Sequence, residues 1–109
     1  MTCYERLKKE KDFALVIKKG KRVFSDKVTL YYIEADSSLV GFAVSKKHGG
    51  SVKRNRIKRI LRESFRSFAP QIRQNFFFVF IPKISEEYNF NEIKSSIYYV
   101  LKKGKFFNE

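Results

Sequence analysis

One run of apolar residues constrains the fold of this chain more than any other feature. The segment NFFFVFIPK (75–83) contains six apolar residues in succession, FFFVFI. A strand with one solvated face alternates apolar and polar residues, so this uniform run predicts a strand that is covered on both faces. Pro82 cannot donate to a sheet ladder and is expected to end the strand. The chain must therefore supply covering elements for both sides of a sheet.

Two other segments predict strands, and a third is weaker. The segment KVTLYYIEA (27–35) alternates with a period of two. It places one face at Val28, Leu30 and Tyr32 and the other at Thr29, Tyr31 and Ile33. After the turn DSS, LVGFAVSK (39–46) sets Val40, Phe42 and Val44 in line, so the two strands are expected to form a hairpin. RVFS (22–25) is a weaker strand candidate.

Helices are predicted at both ends of the chain. KDFALVIKK (11–19) is typical of a short helix, with Gly20 as a left-handed stop. Near the C-terminus, Asn89 followed by Glu92 resembles a capping box, and Gly104 can serve as a stop. Between them an apolar stripe of helical spacing is formed by Phe90, Ile93, Ile97, Val100 and Leu101.

The segment SVKRNRIKRILRESFRSF (51–68) predicts a third helix, with two chemically different faces. At 100° per residue, its core-facing stripe consists of Ile57, Ile60, Leu61, Phe65 and Phe68. The resulting order of elements indicates an α+β fold, with a sheet of about four strands and three helices packed mainly on one side. No repeat or linker divides the sequence, so we expect one domain spanning residues 1–109.

The opposite face of this helix is strongly basic. Asn55, Arg59, Arg62 and Arg66 cluster there, with Lys58 on the flank. Residues 46–66 contain nine Lys and Arg and one acid, Glu63, which places +8 of the total charge of +13 in a fifth of the chain. Surface helices usually mix signs to gain i,i+4 pairs, so this face favours a polyanionic ligand.

The start of the same helix points to phosphate. Lys53, Arg54 and Arg56 place positive charge where the helix dipole is already positive, and an anion would relieve that repulsion. The preceding HGGS contains two glycines that allow close backbone approach, with Ser51 as a candidate cap. His48 is expected to be a loop residue near phosphate rather than a metal ligand, because no second His and no Cys pair accompanies it.

Other classes of function fit less well. A membrane-surface helix would insert its apolar stripe into lipid, but here flanking strands need that stripe as cover. No apolar run reaches the ~20 residues of a membrane span, and the N-terminus lacks the apolar segment of a signal peptide. A DNA reader would present side chains for base edges, whereas this helix shows mainly phosphate-type chemistry. A structural RNA-binding protein of the ribosomal type stays open as an alternative, as does a basic protein without a specific ligand.

A protein active site is not evident. The directly adjacent acids are Glu86 and Glu87, and His48 is the single histidine, so no nucleophile–base set or carboxylate cluster can be assembled. We therefore expect no catalytic residue and no metal site in this chain. Cys3 is the one cysteine, is expected to be a free thiol, and favours the reducing cytoplasm.

At VSKKHGGSVKRNRIKRILRESFR the sequence resembles the protein subunit of bacterial ribonuclease P. The resemblance rests on the RNR run, Arg54 to Arg56, that opens a basic helix and is followed by IKR. RLKKEKDFALVIKKGKR is similar to the family's N-terminal segment and NFFFVF to its last strand, so nearly the whole chain is covered.

This resemblance implies a subunit of an RNA-dependent endonuclease that removes the 5′ leader of precursor tRNA. It implies that the catalytic centre and its Mg²⁺ ions belong to the RNA subunit, with no cofactor bound by the protein alone. It also implies an α–β sandwich with a left-handed strand–helix–strand crossover, against the usual handedness. The residues expected to bind the RNA subunit are Lys46, Lys47, Lys53, Arg54, Asn55, Arg56, Lys58, Arg59, Arg62 and Arg66.

The resemblance further implies a cleft for the leader, formed by Phe13, Ile17 and Tyr31. The sequence departs from the family pattern in two places there. Ile17 stands where a second aromatic often lies one turn after Phe13, and a basic residue usual just after the last strand is replaced by IPK, with Lys83 as a displaced substitute.

Overall fold

A computed structural model describes residues 4–108 of the chain, and Cys3 lies outside them. The described part contains five strands and three α-helices. In chain order they are β1 (Glu5–Arg6), α1 (Glu10–Lys19), β2 (Lys21–Phe24), β3 (Val28–Glu34), β4 (Leu39–Phe42), α2 (Ser51–Phe68), β5 (Phe76–Pro82) and α3 (Phe90–Lys103). Short 3-10 turns precede and follow α2, at Lys46–His48 and Ala69–Gln71.

The strands form one mixed sheet in the order β1-β4-β5-β3-β2. Strand β5 pairs antiparallel with β3, from Val28 opposite Pro82 to Glu34 opposite Phe76. On its other edge β5 pairs parallel with β4. The hairpin predicted between the segments 27–35 and 39–46 is therefore wrong. Both strands flank β5 because its uniformly apolar side chains give each of them a buried partner.

The hairpin of this sheet lies one strand earlier in the chain. Strand β2 pairs antiparallel with β3, so the weak candidate at 22–25 is a strand and the edge of the sheet. The hydroxyl of Ser25 donates to the carbonyl of Val28 at 2.6 Å, and the Val28 N–H donates back to that hydroxyl at 3.2 Å. This reciprocal contact closes the turn between β2 and β3.

Strand β5 is covered on both faces, as predicted. Phe76, Phe78 and Phe80 belong to the main core, while Phe77, Val79 and Ile81 contribute to a second cluster on the other face. Phe78, Val79 and Phe80 are each 0% exposed. The alternating faces of β3 also match the prediction: Val28 and Leu30 lie in the main core, and Tyr31 and Ile33 in the second cluster.

Helices α2 and α3 cover the main core, and α1 covers the second cluster. The predicted stripe of α2 is confirmed: Ile57, Ile60, Leu61 and Phe65 are buried, and Phe68 packs against them. In α3 the stripe is buried except for Phe90, which is 38% exposed. The backbone N–H of Glu92 donates to Oδ1 of Asn89 at 3.2 Å, so Asn89 is the predicted N-cap.

Parallel strands β4 and β5 are neighbours, and α2 connects them. This is the strand–helix–strand crossover that the family resemblance implies; its left-handedness stays a prediction. The fifth strand, β1, was not predicted because two residues show no periodicity. It pairs parallel with β4, and the adjoining Tyr4 and Leu7 are buried in the main core and the second cluster respectively.

The glycines that follow α1 and α3 act differently from the prediction. Gly20 is extended, with φ −76° and ψ 164°, so it is not a left-handed stop. A Cβ atom there would lie 2.7 Å from the carbonyl oxygen of Tyr32 and would also collide with that of Val16. Glycine is required because backbone approaches backbone. Gly104 is not a left-handed stop either: its backbone is right-handed helical, and the positive φ of 62° belongs to Lys105.

We therefore expect Gly20→Ala and Gly20→Asn to destabilise the fold equally, by about 2 kcal/mol, because either Cβ meets backbone oxygens that cannot move aside. A left-handed cap would tolerate Asn better than Ala. Chemical denaturation of both variants measures this, with the exposed neighbour Lys19→Ala as control. Recovery of stability in Gly20→Asn would contradict the steric explanation.

Candidate nucleic-acid interface

The outer face of α2 carries exposed cations with little acidic compensation. Exposed there are Asn55, Arg56, Arg59, Arg62 and Arg66, while Lys58 is half-buried. The helix has a single acid, Glu63, whose carboxylate lies 3.9 Å from Nε of Arg59. Both partners are largely exposed, so this pair contributes little to stability. The prediction that α2 has a buried apolar face and an exposed basic face is confirmed.

The N-terminus of α2 is open to an anion. Its N-cap is Gly50, with no capping side chain, so the prediction that Ser51 caps the helix is wrong; Ser51 is its first residue. No acid lies in the first turn. Gly49 before it has φ 134° and ψ −172°, a conformation reserved for glycine. The first amides of the helix are therefore available together with the positive end of its dipole.

Arg54 lies in this first part of the helix and is half-buried. Among the residues that the structure describes, its buried Nε has no hydrogen-bond partner. A buried donor without an acceptor costs stability, and the remaining guanidinium nitrogens of this half-buried side chain are the donors that a phosphate could approach. Arg54 is thus held close to the protein surface with donor capacity to spare.

Lys53 has a different situation from its neighbours. Its Nζ donates to the carbonyl of Glu86 at 2.8 Å and lies 5.5 Å from the ring of Tyr88. These contacts tie α2 to the loop that precedes α3. Lys53 therefore has an intramolecular role, whether or not it also faces RNA.

His48 is not beside an open phosphate site, and this part of the prediction is wrong. The side chain is 4% exposed and joins two segments of the chain. Nε2 lies 2.6 Å from the carbonyl of Pro82, and Nδ1 accepts from the backbone N–H of Ser45 at 3.0 Å. Because a carbonyl can only accept, the proton resides on Nε2. His48 fixes the 3-10 turn and leaves Lys46 and Lys47 exposed in front of α2.

A cavity of about 390 Å³ lies where the β1–β4 edge of the sheet meets α2. Its apolar surface includes Tyr4, Leu7, Phe13, Val40, Phe42 and Phe65. Its cations are Arg6, Lys8, Lys58, Arg62 and Arg66. The last three are one helical turn apart on α2, so a row of positive charge borders an aromatic floor. We call this site the edge cavity.

The edge cavity brings together residues that are predicted to serve different sites. Phe13 is predicted to line the leader cleft, whereas Lys58 and Arg62 are predicted to bind the RNA subunit. Phe13 reaches the cavity because Gly41 of β4 lacks a side chain: a Cβ there would lie 2.6 Å from Cε1 of Phe13. The close approach of that ring to the strand depends on this glycine.

The three predicted cleft residues lie on the α1 side of the sheet. Phe13 and Tyr31 are half-buried in the second cluster. Ile17 is 40% exposed on α1, one turn after Phe13. A single helix, α1, covers this face of the sheet. Other apolar residues of the face are likewise only partly buried, namely Ile33, Leu39, Ala43, Phe77 and Ile81. The structure thus gives this face accessible apolar and aromatic surface.

Lys83, the proposed substitute for a basic residue after the last strand, lies directly after β5 and is exposed. Together with Ser95, Ser96 and Tyr99 of α3 it lines a hollow on the opposite side of the sheet from α1. The structure thus associates Lys83 with α3, away from Phe13 and Tyr31.

Acidic and metal-binding chemistry is sparse in the part of the chain that the structure describes. Within residues 4–108 no group of three or more His, Cys, Asp or Glu side chains is placed to hold a metal ion.

Among the same residues, no helix is both long and apolar enough to cross a membrane.

Comparisons with known proteins agree with this geometry. A family model described as Ribonuclease P matches residues 1–105. The chain belongs to the ribonuclease P protein family. It is 39% identical to the ribonuclease P protein component of Macrococcus caseolyticus, over 95% of this chain and 93% of that one. It is 40% identical to that of Caldanaerobacter subterraneus, over 95% of this chain and 92% of the relative.

Solved structures of the family share the fold. The RNase P protein of Staphylococcus aureus superposes with a TM-score of 0.80 at 33% identity, covering 94% of this chain and 97% of that one. The RNase P protein of Thermotoga maritima also has a TM-score of 0.80, at 29% identity, covering 91% and 96%. These likenesses support the α–β architecture, with five strands rather than about four.

The sequence patterns did not predict two of the cations that line the edge cavity, Arg6 and Lys8. Arg6 and Lys8 belong to a charged N-terminal stretch without a helical or strand pattern. They reach the cavity because β1 adds to β4 in parallel, with Arg6 opposite Val40. Because Arg6 and Val40 are far apart in the sequence, no local pattern of residues predicts that their strands pair. The surplus of cations near the N-terminus is nevertheless visible in the sequence.

Proposed function

We propose that this chain is the protein subunit of the ribonuclease P ribonucleoprotein. In this proposal it binds the catalytic RNA subunit and the 5′ leader of precursor tRNA, and so assists endonucleolytic removal of the leader. The observation that carries the proposal is a basic helix bordering an aromatic cavity, in a member of the ribonuclease P family. A phosphate-binding row beside stacking surfaces suits an RNA ligand.

The RNA subunit binds to the outer face and N-terminal end of α2. Its contacts come from Lys46, Lys47, Arg54, Asn55, Arg56, Arg59, Arg62 and Arg66, with Lys53 and Lys58 at the margins. Arg54 supports this assignment by its position near the start of α2, where it is half-buried and no acid of the first turn compensates its charge. The open N-terminus of α2 adds backbone amides for a phosphate.

Replacing both Arg54 and Arg56 with Ala should weaken assembly with the RNA subunit about tenfold or more at ~150 mM salt, because two phosphate contacts are lost. The slope of log affinity against log salt should become shallower by about 1.5 units. RNA titrations at several salt concentrations measure both quantities.

The control for this experiment is stability of the free protein. Removing like charges at a helix N-terminus should leave the melting temperature unchanged or slightly raised. A lowered melting temperature with an unchanged salt slope would show that the two arginines are structural and would contradict the phosphate-binding role.

The leader of precursor tRNA lies along the α1 side of the sheet and enters the edge cavity. Phe13 is common to both surfaces, so a single strand could stack a base on Phe13 or Tyr31 while its phosphates reach Arg6 and Lys8, the cations of the cavity that are not assigned to the RNA subunit. Aromatic stacking has little sequence preference, which suits a protein that must accept many leaders. Ile17 extends this surface with an apolar contact.

Tyr31→Ala and Phe13→Leu should each weaken binding of a precursor tRNA with a leader of several nucleotides, by about 1–2 kcal/mol for a lost stack. Neither should change the affinity for mature tRNA, which has no leader. Leu15→Ala is the matched control, because Leu15 is 39% exposed on α1 and outside the proposed cleft. Equal losses for both RNAs, or losses that follow a lowered melting temperature, would return Tyr31 and Phe13 to a purely structural role.

The catalytic centre and its Mg²⁺ ions belong to the RNA subunit in this proposal, and the reaction takes place in the cytoplasm. The protein holds the leader and offsets phosphate repulsion, so less Mg²⁺ is needed for the two RNAs to associate.

Cleavage of precursor tRNA by the RNA subunit is the experiment that tests the proposed function. At low Mg²⁺ the protein should raise kcat/KM by at least about tenfold, because it replaces part of the cation requirement. At high Mg²⁺ the effect should shrink. Binding without any effect on cleavage at either concentration would favour the alternative, a structural RNA-binding protein of the ribosomal type, for which neither the fold nor the comparisons give support.

A further inference from the structure

Aromatic and lysine side chains alternate along the groove between α2 and α3, on a surface separate from the edge cavity. The aromatics are Phe68 from α2, Phe90 and Tyr98 from α3, and Phe107 after α3. The lysines are Lys94 and Lys102 of α3. Phe90, Lys94, Tyr98 and Lys102 follow one another at four-residue spacing and therefore lie in one row of the helix. We call this surface the aromatic strip.

The strip is continuous. Nζ of Lys94 lies 5.9 Å from the ring of Phe90 and 5.8 Å from that of Phe68, so it joins the two. The rings of Phe68 and Tyr98 are 5.6 Å apart, and those of Tyr98 and Phe107 are 5.4 Å apart. Lys102 then covers Tyr98 at 5.8 Å.

The strip is also accessible. Phe90 is 38% and Tyr98 is 43% exposed, while Phe68 and Phe107 are half-buried. Large aromatics in a row on the surface of a small protein are uncommon unless a partner covers them. The packing among the rings fixes their positions, so a ligand would meet a surface that is already ordered.

One end of the strip meets the basic face of α2. Phe90 and Arg56 line the same hollow of about 730 Å³, on the flank of α2 away from the edge cavity. The hollow also contains Lys27 and Lys53 and three acids, Glu86, Glu87 and Glu92, so an RNA strand would have to pass on its Arg56 side. An RNA strand bound at Arg56 could therefore continue along the groove, with its bases over the rings and its phosphates near Lys94 and Lys102.

We propose that the aromatic strip binds an unpaired segment of the RNA subunit by stacking. This inference rests on the proposed function, in which α2 binds that RNA. Charge selects this occupant over a second copy of the chain: the lysines of the strip would face one another across a symmetric interface, whereas RNA supplies the complementary charge. The one acid in the first turn of α3, Glu92, is already held by Lys27 at 3.3 Å.

The double variant Phe90→Leu/Tyr98→Leu tests the strip, because leucine keeps apolar cover and removes the stacking face. It should bind the RNA subunit about tenfold more weakly per lost stack, with an unchanged melting temperature and an unchanged salt slope. Tyr98→Phe retains the ring and should bind like the unsubstituted protein.

Tyr99→Leu is the matched control. Tyr99 is adjacent to Tyr98, is 51% exposed and has its own lysine at 5.7 Å, but it lies about 100° around the helix from the strip. It should leave RNA affinity unchanged. With 5-bromouridine in the RNA subunit, ultraviolet light should crosslink the RNA to α3 in the unsubstituted protein and in Tyr99→Leu, but not in the double variant.

The outcomes separate this inference from the proposed function. If Arg54→Ala/Arg56→Ala weakens binding while Phe90→Leu/Tyr98→Leu binds normally, the strip is refuted and the function of α2 stands. If neither variant weakens binding, the proposed function fails as well. If sedimentation shows a dimer that the strip variant abolishes, with RNA affinity unchanged, the strip is a contact between copies and the proposal is overturned.

Discussion

The burial of β5 on both faces and along both edges is the constraint on which the rest of the structure depends. Its six-residue apolar run cannot face water, so β3 and β4 pair with its edges and helices cover both sides. Since β4 and β5 run parallel, the chain needs a long crossover between them, and α2 provides it. In this arrangement the apolar stripe of α2 is buried in the main core. Its cations are left on the outside, so the orientation of the basic surface follows from the burial of one strand.

Periodic patterns within single segments predicted the helices and the longer strands. The same patterns could not predict which strands pair with each other. The stripes of α2 and α3, the two faces of β3 and the double coverage of β5 are periodic within single segments, and all are confirmed except for Phe90 of the α3 stripe, which is exposed. The hairpin between β3 and β4 failed because proximity in sequence does not decide which strand offers the best buried partner. The prediction that Gly20 is a left-handed stop was wrong for a related reason. Glycine is needed there because the carbonyl of Tyr32, twelve residues away in the sequence, lies too close for a Cβ atom, and not because of the backbone conformation of Gly20.

The same distinction holds for the candidate site. The angular position of Arg59, Arg62 and Arg66 on a helix predicted their exposure, because only the core-facing side had to be inferred. Charge alone could not show that Lys53 is bound to the carbonyl of Glu86, or that His48 is used to hold Pro82. Both residues hold the N-terminal end of α2 against the end of β5 and the loop that follows it. Their contacts make the start of the helix rigid, which lowers the entropy cost of binding an anion there.

Two aromatic surfaces flank α2, and each begins beside one of its cations. Lys58 and Arg62 border the edge cavity on one flank, and Arg56 meets the aromatic strip on the other. Ionic contacts with phosphate weaken as salt rises, whereas stacking on aromatic rings does not depend on counterion release. A protein with a surplus charge of +13 would bind any RNA through charge alone. Stacking requires unpaired bases, so in the proposed binding mode the rings would add a preference for single-stranded segments on either side of α2. Under the proposed binding mode, discrimination among RNAs would come from the aromatics, and the charge of α2 would set the affinity that all RNAs share.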